Sequence, residues 1–162
     1  MTNKDHLGFD FDLGFIADEE GRVMGGPYSP VDLQAKVREG VSPRALDLSV
    51  IKGKANLIQS IIMRLKTVRG ELAPLGHPTY GSEHHRLIGE PNTENNRHLI
   101  KLHIIECLRQ EPRIENILQI EVKPVEGKED RDRVKINILV KARELQDPLN
   151  LVIPFSFEGP LE

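Results

Sequence analysis

Five periodic segments in a fixed order constrain this chain more than any single motif does. The first two repeat at helical spacing. Leu57, Ile58, Ile61, Ile62 and Leu65 form one apolar stripe, and Ile100, Ile104, Cys107 and Leu108 form another. Pro112 stops the second, because proline has no N–H to donate and its ring clashes with the preceding turn. The next three segments repeat every two residues. Leu118, Ile120 and Val122 alternate with Gln119, Glu121 and Lys123. Val134, Ile136, Ile138, Val140 and Ala142 alternate with Lys135, Asn137 and Lys141. Leu149, Leu151, Ile153, Phe155 and Phe157 alternate with Asn150, Val152, Pro154 and Ser156. Helices first and a meander of strands after them predict an α+β domain, with helices packed on one face of a small antiparallel sheet.

The joints carry their own signals. "RGELAPLGHPTYGS" holds glycines and prolines that end the first helix. Ser82 is expected to cap a short helix, Glu83–Ile88, that Gly89 closes. Asn92 or Thr93 is expected to cap the long helix. Upstream, residues 1–50 form a β-rich extension to the main domain of residues 51–162. "GFDFDLGFI" sets Phe9, Phe11, Leu13 and Phe15 on one face of a strand, and "ADEEGRVMGGP" turns back into a short return strand.

Composition excludes several classes of function. With 22 basic against 25 acidic residues the net charge is −3, which offers no electrostatic case for nucleic acid or for a membrane surface. The opening residues lack the apolar core of a signal peptide, and runs such as "LIQSIIM" are too short to span a bilayer. One cysteine, Cys107, fits a reducing, cytoplasmic compartment. It lies in the apolar stripe, a place for packing rather than for a nucleophile. The six histidines show no metal-ligand spacing and are expected to be solvated, so no metal or cofactor is implied. Glu71 and Glu111 are the positions that suggest a glycosidase acid pair. The absence of tryptophan argues against a sugar cleft, and the residues alone suggest no enzyme.

Four motifs in order carry a resemblance. "NLIQSIIMRLKTVRGEL", "HPTYGS", "NT" opening a helix and "EPRI" before a strand together resemble the gene-25-like (GPW) family. These are baseplate wedge and sheath-initiator proteins of contractile phage tails, type VI secretion and extracellular contractile injection systems. The matching positions include Gly53, Asn56, Gln59, Arg64, Gly70 and Glu71 around the first helix. Tyr80, Gly81 and Ser82 match in the loop, and Glu111, Pro112 and Arg113 at the junction.

The resemblance implies a structural, non-enzymatic baseplate component, present in six copies, that links the wedge to the first sheath ring and initiates sheath assembly. Glu111, Pro112 and Arg113 would dock on wedge proteins. Leu151, Val152 and Ile153 would lie on an edge strand to which a sheath arm adds a strand. Pro154, with no N–H, fits a strand edge or end. A peptidoglycan-cleaving, lysozyme-like enzyme is the alternative. For the junction two readings stay open: Pro112 sets Glu111 and Arg113 on a rigid corner that either docks a partner or latches the fold.

Overall fold

The computed structural model describes residues 8–13, 16–17, 23–24, 35–37, 46–127 and 130–158. The expected order of elements is present. Helix α1 spans Gly53–Lys66 and helix α2 spans Glu94–Leu108. Strands β7 (Ile114–Pro124), β8 (Arg133–Ala142) and β9 (Leu149–Ser156) follow. They form an antiparallel sheet in the order β7-β8-β9. Upstream lie β1 (Phe9–Phe11), β2 (Ile16–Ala17), β3 (Val23–Met24), β4 (Ala35–Val37), β5 (Leu46–Leu48) and β6 (Val50–Lys52). They pair as the two-stranded ribbons β1-β6, β2-β3 and β4-β5. The chain is an α+β fold with a β-rich extension.

One core joins the helices to the sheet. Leu57, Ile61 and Leu65 of α1 and Ile100, Ile104 and Leu108 of α2 pack on Val134, Ile136, Ile138 and Val140 of β8 and on Leu149, Leu151 and Phe155 of β9. Cross-strand register makes this possible. Ile138 faces Leu151, Val134 faces Phe155 and Val140 faces Leu149, so one face of the pleat is continuously apolar. Thr93 caps α2, its hydroxyl accepting from the Asn96 N–H at 3.2 Å. Asn92 instead bonds Arg97 and the Arg131 carbonyl.

Several expectations need correction. Leu118 does not face the core; it is 49% exposed. The β7–β8 register shifts twice, between Ile114 and Asn116 and between Ile117 and Gln119, so Glu115 and Leu118 have no opposite residue. Each bulge inserts one residue and slips the alternation. Ile117, opposite Val140, takes the inward place that simple alternation gives to Leu118. Ser82 caps nothing. The short helix is a 3-10 turn, His84–Leu87, preceded by Glu83. The Ser82 main chain instead bridges Val68: its N–H donates to Thr67 O at 2.9 Å and its carbonyl accepts from Arg69 N at 3.1 Å. Gly81 permits this approach. Its φ is +100°, and a Cβ there would stand 2.6 Å from the Thr67 carbonyl oxygen.

The first strand differs as well. Phe9 is 75% exposed and Phe11 is exposed, so the expected apolar face of β1 points away from the core; Phe15 lies outside the described residues. Main-chain bonds hold this segment instead. The buried Gln59 amide on α1 donates to Phe11 O at 2.8 Å and accepts from Leu13 N at 2.9 Å. Gly53 N donates to Gly8 O at 3.2 Å. Among the described residues β3 approaches β9 without pairing to it.

Gln59→Leu removes both bonds at once and leaves two main-chain groups unmet, at a cost of about 1–3 kcal/mol. Amide exchange at Leu13 is expected to speed up while the amides of β8 keep their protection. Unchanged protection at Leu13 would mean that the segment is held by something other than Gln59.

Candidate functional site

The junction after α2 builds a small buried charge cluster. Glu111 N donates to Leu108 O at 3.1 Å and Ile114 N to Glu111 O at 3.1 Å, so the chain turns tightly across Pro112 into β7. Pro112 is exposed and has no amide to satisfy, which suits the apex of this corner. Glu111 points inward and is 3% exposed. Its carboxylate accepts from Arg113 Nε at 2.6 Å and lies 3.7 Å from Arg64 Nη2. Ser60 completes the cluster, accepting from the Arg113 guanidinium while its hydroxyl sits 3.5 Å from Glu111 Oε2.

Each partner arrives from a different element. Ser60 and Arg64 are one turn apart on α1, beside the stripe that packs on the core. Arg64 is sandwiched further: its guanidinium lies over the Tyr80 ring, 4.4 Å from the centroid. Tyr80 is delivered by the loop that Gly81 closes against Thr67 and Val68. The resemblance had drawn attention to Arg64, Tyr80, Glu111 and Arg113 without saying that they meet. Ser60 had not been singled out; its signal was its place four residues before Arg64.

Electrostatics follow from this packing. Burial alone pushes the Glu111 carboxyl up. The hydrogen bonds and charge of Arg113, with the charge of Arg64, outweigh burial and hold it below the usual glutamate range. A glycosidase general acid needs the reverse, a carboxyl raised enough to be protonated near neutral pH. Glu71 is exposed and its carboxylate accepts from the Val68 N–H at 3.0 Å, closing a turn. Cys107 is buried and desolvation pushes its thiol up to about 11, which leaves little thiolate for nucleophilic chemistry.

The histidines correct a further expectation. His84 is buried, wedged between Ser82, whose hydroxyl lies 2.8 Å from Nδ1, and the Phe155 ring at 5.3 Å. His85 stacks on it at 4.1 Å and reaches Leu65 O with Nε2 at 2.7 Å. Burial, with His85 and His103 nearby, holds His84 well below the usual histidine range. Sequence spacing could not show this, because the 3-10 turn is enclosed by α2 and by the Phe155–Phe157 end of the sheet. Among the described residues no group of three or more His, Cys, Asp or Glu could hold a metal ion.

The second set of candidate residues lies on β9. Leu151 is fully buried, whereas Val152 and Ile153 are half-buried. Val152 sits opposite Asn137 and Pro154 opposite Lys135; β8 is the hydrogen-bonded neighbour of β9 in its sheet. Among the described residues no helix is long and apolar enough to cross a membrane.

The chain is similar to known proteins in family and in fold. Residues 42–144 match the family model of the contractile injection system sheath initiator. A 1.44 Å crystal structure of a protein from Geobacter sulfurreducens, described as a candidate tail lysozyme, is similar at 28% identity with a TM-score of 0.54. The match covers 65% of this chain and 94% of that one. No curated protein matches.

Arg113→Ala would leave the buried Glu111 with Arg64 as its remaining ion-pair partner among the described residues. Removing one partner of a buried, hydrogen-bonded pair costs about 3–5 kcal/mol, reduced here because Arg113 is about a fifth exposed and Arg64 remains. We expect a loss of about 2–4 kcal/mol in chemical denaturation, only partly restored by Arg113→Lys, whose single point charge cannot serve Glu111 and Ser60 as a fork does. A variant as stable as the parent would show that the corner does not latch the fold.

Stability should also depend on pH in two steps. His84 is depressed in the folded state, so its contribution is complete above the unfolded value of about 6.5 and declines as pH falls below it. Glu111 is also depressed, so its contribution declines below the unfolded carboxyl value of about 4.3. Unfolding free energies from chemical denaturation across this range should fall first below about pH 6.5, at up to ~1.4 kcal/mol per pH unit. A His84→Asn variant that keeps the upper step would assign it elsewhere.

Proposed function

This chain belongs to the sheath-initiator family of contractile injection systems, which makes it a baseplate component of a tail-like particle, and we propose that it links the wedge to the first sheath ring and starts sheath assembly. The wedge side is the corner at Glu111, Pro112 and Arg113. Pro112 and the outer rim of the Arg113 guanidinium are the parts a partner can touch. Glu111 acts from within by fixing the fork that Arg113 presents. Docking and latching are then one device: the bond that holds α1, α2 and β7 together also holds the docking surface rigid, so little side-chain freedom is lost on binding.

The sheath side is β9. Its ladder to β8 uses one of its two edges, and that single observation carries the strand-addition reading. An arm of the sheath protein would pair with the other edge along Leu151, Val152 and Ile153. Main-chain bonds would give affinity and the alternating side chains would set the register. Leu151 anchors the strand in the core, so an added arm meets a fixed template rather than a loose end. Six copies around the baseplate would pass their symmetry to the ring.

The role we assign is structural rather than catalytic, assembled in the cytoplasm. The low carboxyl of Glu111, tied to Arg113, supports it. Clearing of a purified peptidoglycan suspension by this protein would overturn that part and favour the lysozyme-like alternative that the description of the Geobacter protein suggests.

Val152→Pro tests the sheath side. It adds a second missing donor two residues from Pro154. The expected outcome is a folded protein that still enters baseplates on which sheath fails to polymerise, scored by electron microscopy of particles. Sheaths of normal length on such baseplates would move initiation to another surface.

A further inference from the structure

Two stacked histidines close one end of the sheet. The 3-10 turn His84–Leu87 packs on α2 and meets β9 through the edge of the Phe155 ring. Phe155 in turn stands edge-on to Phe157 at 5.3 Å. Phe157 is tied back to the turn, its carbonyl accepting from the Gly89 N–H at 2.6 Å, while its own N–H donates to Asp132 O at 2.8 Å. The turn itself is lightly fastened. Its main-chain bonds, Arg86 N to Glu83 O at 3.0 Å and Ile88 N to His85 O at 3.2 Å, are of the 3-10 kind, whose geometry is poorer than that of an α-helix. The end of β9 has one neighbouring strand, β8.

An imidazolium has no counter-charge here. The titratable groups that act on His84 are His85 on the same turn and His103 on α2, both of which would repel a proton. Cys107 of α2 is a neutral thiol, and β9 brings only phenyl rings. Glu83, the carboxylate beside the turn, is shared by Arg69 at 3.9 Å, Arg86 at 3.4 Å and His103 at 4.0 Å. Glu106 of α2 lies 3.7 Å from Arg69. Glu71 acts on His85 from the loop after α1 and is exposed. Among the described residues no salt bridge reaches His84 or His85. Burial holds both rings below the usual histidine range, and two cations stacked at 4.1 Å would repel.

We propose that the turn His84–Leu87 and Phe157 form an acid-released clasp: when His84 and His85 take up protons, the turn leaves β9 and frees its carboxy-terminal end, while α1, α2 and the β7–β8 ladder stay in place. The sign follows from where the protons bind. In the open state each ring is hydrated and titrates near its ordinary value of about 6.5. The clasp is therefore closed above that value. Below it, the open population rises by up to about tenfold per pH unit for each histidine. This opening is confined to one end of the molecule, unlike the loss of overall stability in acid. Without the clasp β9 loses its last fixed residue, and with it part of the template for a sheath arm. That consequence rests on the strand-addition reading, whereas the opening itself does not.

The test is amide exchange of the full chain, followed by NMR in low concentrations of urea and corrected for the intrinsic effect of pH. The Gly89 and Phe157 amides are expected to exchange through an opening that urea hardly promotes, and to be less protected than the amides of β8. Their protection should fall at least about tenfold from pH ~7 to ~5. The His84→Asn, His85→Asn double variant should lose that dependence on pH. If it does not fold, His85→Asn alone should weaken the dependence several-fold. A urea dependence at Gly89 and Phe157 equal to that of β8 would overturn the proposal, because the histidines would then be freed only by global unfolding. Protection indifferent to pH, or a full pH dependence in the variants, would overturn it as well. Acid opening together with sheaths of normal length on Val152→Pro baseplates would keep the clasp and remove only the strand-addition reading.

Discussion

A carboxylate with almost no access to water sits where three elements meet, and the fold around it is arranged to keep it charged. Glu111 lies in the turn after α2, Arg113 begins the path into β7, and Ser60 and Arg64 come from α1. A lone buried charge is costly enough that the group would otherwise be protonated or exposed. Two guanidiniums offset that cost only if α1, α2 and the turn hold their relative positions closely. Tyr80 extends the demand to the loop after α1, because its ring covers Arg64, and Gly81 must let that loop lie against Thr67. The "HPTYGS" and "EPRI" motifs are thus two halves of one structure.

The sheet shows a different kind of constraint. Its inner face is apolar without interruption, which an antiparallel meander achieves only if register is kept. On β7 two bulges shift that register, turning Leu118 outward and bringing Ile117 in. Bulges bend and twist a strand, and here they occur where β7 leaves the Glu111 corner. Further along, β7 is regular again, from Ile120 to Pro124, and there it faces α2 across a groove of mixed charge. The irregular end of β7 therefore lies near the buried charges and its regular end beside this groove.

The amino-terminal extension is joined to the domain in an economical way. Gln59 lies on the helix that supplies Ser60 and Arg64, and it holds the main chain of Phe11 and Leu13. Main-chain recognition places few demands on the side chains of the held segment. This accounts for Phe9 and Phe11 facing outward, although their alternation resembles that of a core strand. The β1–β6 ladder and the bond from Gly53 N to Gly8 O add further main-chain ties beside that buried amide.

Much of this was legible in the residues. Hydrophobic periodicity located both helices and all three strands of the sheet, since each must bury one face and the period reveals which geometry does so. Pro112 marked the turn, and Cys107 was placed in the core by its stripe. What periodicity could not reveal was anything set by a neighbour distant in sequence. The slip at Leu118 depends on pairing with β8, and the enclosure of His84 depends on Phe155. Whether Glu111 faced water or Arg64 depended on where α1 came to lie. Local sequence determined the elements because their energetics are local. The tertiary structure alone decided the charge states and the exposed faces, because these depend on groups that only folding brings together.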